Sequence, residues 1–71
     1  MRAADFVRKV KRLGNARRVP VRFVAMRGKG SRGTLYYGLA RTVVQDRKRE
    51  VPKGTLPAML RQLGLNPGDI R

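Results

Sequence analysis

No cysteine, no histidine and no tryptophan occur among the 71 residues, and only four carboxylates do. Without cysteine there is no disulfide framework, and without cysteine or histidine the common zinc sites are excluded. Without histidine, no side chain has an ordinary pKa close to neutrality, so the usual proton shuttle is missing. Long apolar runs are also absent. Nothing approaches the ~20 residues of a membrane span, and the basic N-terminus leads into no signal-type apolar stretch. A cytoplasmic protein with no membrane, metal or cofactor requirement is the expectation.

What is present is positive charge. Eighteen Lys and Arg face four acids for a net charge of +14, and thirteen of the eighteen are Arg. Like charges at this density repel one another until a polyanion or an acidic partner neutralises them. Guanidinium suits phosphate because its planar fork bonds two oxygens at once. An anionic membrane fits less well, since neither end of the chain offers a Trp- or Phe-rich amphipathic face. Nucleic acid is the expected partner. The chain is nonetheless 41 % hydrophobic, and its apolar residues are periodic, so a folded domain is expected.

The spacing predicts a helix over residues 3–13, with Phe6, Val10 and Leu13 at i, i+4 and i+7 and Ala3 and Val7 beside them. Arg8, Lys9, Lys11 and Arg12 fall on its other side, and Gly14 is placed as the stop. Residues 19–26 read as a strand, with Val19, Val21, Phe23 and Ala25 on one face and Pro20 at its start or on an edge. Residues 34–37 and 41–45 supply two more strands, with Gly38 at a turn. A charged connector, residues 46–50, leads to a second helix over 54–63, whose stripe is Leu56, Met59, Leu60 and Leu63. Pro57 fits only its first turn, and Gly64 closes it.

The expected fold class is therefore α+β. The order is α-β-β-β-α, with a three-stranded antiparallel sheet and both helices on one face, the other face being left open. Double-stranded-RNA-binding domains use that arrangement. Residues 1–65 form one domain, and 66–71 read as a loose C-terminal tail.

Residues 27–38, Arg-Gly-Lys-Gly-Ser-Arg-Gly-Thr-Leu-Tyr-Tyr-Gly, carry the most specific signal. They resemble the central motif of HicA toxins, in which a Gly-Ser-His leads into a strand. Gly54-Thr55-Leu56 and Met59 to Leu65 resemble that family's second helix, while Asp5-Phe6, Val10 and Leu13-Gly14 resemble its first. The resemblance spans nearly the whole chain. It implies an mRNA endoribonuclease on a double-stranded-RNA-binding-domain-like fold, monomeric alone and neutralised in a hetero-oligomer with a HicB-type antitoxin. It also implies that the catalytic histidine follows Gly30-Ser31. Here that position is Arg32.

The departure has a chemical consequence. Metal-independent RNA cleavage needs a base for the 2′-hydroxyl proton and an acid for the leaving oxygen, and histidine can serve as both. Arginine, whose pKa lies far above neutrality, stays charged and acts as no base, although it can stabilise charge on a pentacoordinate phosphorus. The expectation is an RNA-gripping domain that no longer cuts. The alternative is a non-catalytic RNA-binding module of the small ribosomal or architectural kind. The candidate contacts are Arg27, Gly28, Lys29, Gly30, Ser31, Arg32, Tyr36 and Lys48.

Some readings stay open at this level. The glycines either form a plain hairpin loop or bring backbone amides to a phosphate. The loop lacks the Gly-Lys-Ser/Thr spacing of a nucleotide-binding P-loop. Tyr36 and Tyr37 point to opposite faces, one toward the core and one toward a base or a partner. Asp46 and Glu50 serve either as local partners for the basic connector or as a carboxylate pair for a divalent metal.

Overall fold

The first helix, α1, spans Ala3–Arg17 and buries Ala3, Phe6, Val7, Val10 and Gly14 along one stripe. The computed structural model describes residues 1–28 and 30–70. No side chain caps the start of α1. Instead the backbone amides of Ala3 and Ala4 donate to the carbonyls of Arg49 and Arg47 at 2.9 and 3.0 Å. The connector between sheet and second helix thus satisfies donors that a helix N-terminus leaves unpaired.

Gly14 does not stop the helix, as its spacing suggested; α1 continues for nearly a further turn. Arg18, at φ +58°, takes the left-handed position. The amides of Arg18 and Val19 bond back to Asn15 and Gly14 at 3.4 and 2.8 Å, the paired bonds of a Schellman motif. Gly14 is there for packing. A Cβ on it would lie 2.2 Å from Val21 Cγ2 and 2.7 Å from the Val19 carbonyl oxygen.

Three strands follow: β1 (Val21–Ala25), β2 (Gly33–Tyr37) and β3 (Ala40–Val44), in the antiparallel order β1-β2-β3. β1 is shorter than the apolar run 19–26 because Val19 is bonded to the end of α1, while Pro20 accepts from the Gly38 amide but has no N–H to give in return. Alternation sorts the sheet cleanly. Phe23, Leu35 and Thr42 are register partners on one face, with Val21, Tyr37 and Ala40 in the next row of that face. Leu35 and Val44 are fully buried, and Val21, Phe23 and Tyr37 pack against the same core.

Both helices cover this face. α1 lies on β1 and β2, while α2 (Thr55–Leu63) lies on β3 and contributes Met59, Leu60 and Leu63. The buried Thr42 hydroxyl donates to Gln62 Oε1 at 2.6 Å, which ties α2 to β3. Gly64 closes α2 at φ +73°, and the amides of Gly64 and Leu65 bond to Arg61 and Leu60 in a second Schellman pair. The α-β-β-β-α order and antiparallel sheet are as the sequence indicated.

Of the residues read as a loose tail, Asn66 to Ile70 are ordered against the fold, and Arg71 lies outside the described residues. Pro67–Ile70 form a 3₁₀ turn against α1, with Ile70 only 4 % exposed in the core. Asp69 accepts from Arg17 Nη2 and from the Asn66 amide, both at 2.9 Å. These two bonds hold the turn so that Ile70 points inward. The sequence-level boundary at residue 65 cuts through a packed contact.

Candidate nucleic-acid interface

The face of the sheet away from the helices is uncovered. Register places Arg22 opposite Tyr36 and Tyr36 opposite Arg41, so the three form one row across β1, β2 and β3. The next row is Val24, Thr34 and Val43. Val24 and Val43 are 41 % and 43 % exposed, values that only an open face allows. Adjacent strands lie ~4.8 Å apart, so the two arginines flank the tyrosine at roughly one strand spacing each.

Tyr36 therefore faces outward and Tyr37 inward, which settles the pair left open by the sequence. Two shallow hollows adjoin Tyr36. One is lined by Pro20, Arg22, Val24, Tyr36 and Gly38. The other is lined by Thr34, Tyr36, Arg41, Thr42, Val43 and Gln62. Each hollow contains one arginine and shares the tyrosine. Beyond Tyr37, the tight Gly38-Leu39 turn ends the face in a fully exposed Leu39.

Arg32 stands at the other end of the face. The Met26 amide donates to its carbonyl at 2.8 Å, one register step past the Ala25–Gly33 pair. Alternation from Thr34 and Tyr36 puts Arg32 on the open side. Its Nε is buried and has no hydrogen-bond partner among the described residues. The neighbouring Gly33 leaves room for the inward Phe23 ring, since a Cβ there would come 2.4 Å from Phe23 Cζ. Arg47 covers the same ring, its guanidinium carbon 4.5 Å from the centroid, a cation–π contact.

The rest of the predicted site is dispersed. Gly28 and Gly30 take positive φ, +72° and +61°, so the glycines shape the turn itself. Arg27 is exposed and Ser31 half-buried in the same loop. Lys29 lies outside the described residues. Lys48 is exposed in the connector that caps α1, with its amide bonded to Asp46 Oδ1 at 2.9 Å, and it is not part of the open-face rows. Sequence reasoning missed Arg22 and Arg41. Their signal was present in the alternation: each sits between inward residues of a strand, at a position that must point out.

All four carboxylates are engaged elsewhere. Asp5 pairs with Arg8, Asp46 with Arg49, Glu50 with the N-terminal ammonium and Asp69 with Arg17. Asp46 is thus a local partner within the connector, while Glu50 pairs with the distant N-terminus instead, and no group of three or more metal-ligating side chains occurs among the described residues. None of the acids belongs to the open-face rows, so the charge there is entirely cationic. A different hollow, of about 210 Å³, lies between β3, the connector and α2, with Ala3, Val44, Val51, Pro52 and Met59 in its wall. Its largely apolar wall suits an aliphatic group better than a phosphate.

Among the described residues, no helix is long and apolar enough to cross a membrane. No protein-family profile, curated protein or solved structure matches the chain.

Proposed function

We propose that this chain is an RNA-binding domain of the HicA toxin type that holds RNA without cleaving it. The observation that carries the reading is the Arg22–Tyr36–Arg41 row, with Arg32 at the end of the same uncovered face. Arginines supply phosphate contacts and an outward-facing, half-buried aromatic supplies a stacking surface, the two components of backbone-led RNA recognition. The net charge of +14 adds long-range attraction for a polyanion.

Cleavage is a separate matter. With no histidine in the chain and Arg32 permanently charged, the open face lacks a group that can accept and return a proton near neutrality. A HicB-type antitoxin is the protein partner that this reading implies, and it would neutralise the same cations.

Titrating a labelled single-stranded RNA at several salt concentrations tests the reading. About five phosphate contacts give a slope near −3.5 in log K against log salt. Replacing Arg22 and Arg41 by Gln removes two contacts and flattens that slope by about 1.4. Binding that ignores salt, or that is unchanged in the double variant, is incompatible with the proposal.

A further inference from the structure

The sheet face carries a more specific assignment. We infer that Tyr36 is a stacking post for single-stranded RNA, with adjacent nucleotides occupying the hollows on its two sides and Arg22 and Arg41 holding their phosphates. This rests on the RNA reading above and narrows it from RNA in general to unpaired RNA.

Three observations select a single strand over a duplex. First, Tyr36 is the central member of its row, flanked by a cation on each neighbouring strand. A duplex keeps its bases stacked inside and presents sugars and phosphates to a protein, so a ring at the centre of a duplex site would have nothing to stack on. Second, the surroundings of Tyr36 are apolar as well as charged. Val24 lines one hollow and Val43 the other, both more than two-fifths exposed. Base faces suit such walls, whereas a duplex backbone calls for polar groups throughout. Third, the two arginines lie about two strand spacings apart, roughly 10 Å, a span that a short extended strand crosses with its bases turned toward the sheet. Thr34 supplies a hydroxyl beside Tyr36 in the second hollow, positioned for a base edge or a 2′-hydroxyl.

The sheet can spare Tyr36 for this task because the core is complete without it. Tyr37, Leu35 and Gly33 carry the inward side of β2, so an outward substitution leaves the packing intact.

The test uses the full chain and two probes: an unstructured RNA octamer carrying 2-aminopurine, and a fully paired RNA duplex of the same length. The octamer is expected to bind at least tenfold more tightly than the duplex at 150 mM salt, with 2-aminopurine fluorescence quenched on binding. Tyr36→Ala should weaken octamer binding about 5- to 150-fold, the range for one stacked base, and leave duplex binding unchanged. Tyr36→Phe should retain octamer binding within about twofold, since the ring is what matters. Circular dichroism melting of each variant confirms that the fold is kept. If RNA binds in a salt-dependent way but Tyr36→Ala has no effect, or the duplex binds as well as the octamer, the stacking assignment is wrong while the RNA reading survives. If neither probe binds, both are overturned.

Discussion

Gly14 and Val21 meet where α1 passes β1, so closely that a Cβ on the glycine would sit 2.2 Å from Val21 Cγ2. Two effects compete at this position. Alanine is favoured over glycine by about 1 kcal/mol inside a helix. Overpacking typically costs about 1–3 kcal/mol, and here one obstacle is the Val19 carbonyl oxygen at 2.7 Å, which no rotamer change can move. The clash wins. Gly14→Ala is expected to lower stability by about 1–2 kcal/mol in a denaturant titration; a stabilised variant would show that α1 has room to shift.

Ile70 makes a second case in which residues far apart in sequence complete the core. It is 4 % exposed and belongs to the same cluster as Phe6, Val10 and Leu63. Large-to-small changes at such sites cost about 2–5 kcal/mol, a substantial share of what a chain this short can command. Ile70→Ala should therefore lower the melting temperature by about 8 °C or more. A loose C-terminus predicts no change.

These two positions show what could be read from the chain and what could not. The periodicities of α1 and α2 and the alternation in β1 to β3 are local properties, and they placed these five elements to within a few residues. Gly14 misled because a glycine after an apolar stripe has the same local signature whether it ends a helix or admits a neighbouring strand. Only the approach of Val21 distinguishes the two. The end of the chain misled for a related reason. Asn66, Pro67, Gly68 and Asp69 have turn composition, and the bonds from Arg17 and Asn66 that order them are tertiary or visible only in three dimensions. In the candidate site, Arg32 was legible, and Tyr36 only as one member of a pair with Tyr37. Arg22 and Arg41 were not singled out, because a strand arginine is unremarkable until register sets it beside an aromatic.

Asp69 gives the fold an acid sensitivity with a definite sign. Its carboxylate accepts from the Asn66 amide and, next, from the Arg17 guanidinium, and both hold its pKa below the ordinary carboxylate value. A group whose folded pKa is depressed contributes stability above its unfolded pKa, near 3.9, and loses it as pH falls through the folded value. The chain should accordingly outlast Asp69→Asn in thermal melts at pH 6. The gap between them should close below about pH 4. A gap that persists unchanged at pH 2 would assign the effect to something other than the charge.

Self-repulsion predicts an unusual response to salt. Fourteen positive charges remain uncompensated, and the four ion pairs that salt weakens are at the surface, where each is worth about 0–1 kcal/mol. Raising NaCl from 0.05 to 0.5 M shortens the screening length to well under 10 Å and relieves the repulsion among the many cations. The melting temperature should rise by several degrees. A fall would mean that the ion pairs, rather than the net charge, dominate the electrostatics of this fold.

Arg32 is where binding and cleavage can be separated by one substitution. Its backbone is fixed by the Met26 amide, so a new side chain at this position inherits a defined direction onto the open face. Arg32→His replaces a permanent cation with a group that can exchange a proton near neutrality. General acid–base catalysis is worth about 10²–10⁴-fold. The variant should therefore cut single-stranded RNA measurably faster than the parent chain, with a rate that depends on pH near 6 to 7 and vanishes on a 2′-deoxy substrate. Its RNA affinity should drop, and the salt slope should flatten by about 0.7, because one phosphate contact has gone. If Arg32→His binds RNA as expected but cuts nothing, the open face is a binding surface alone and the toxin reading loses its chemistry.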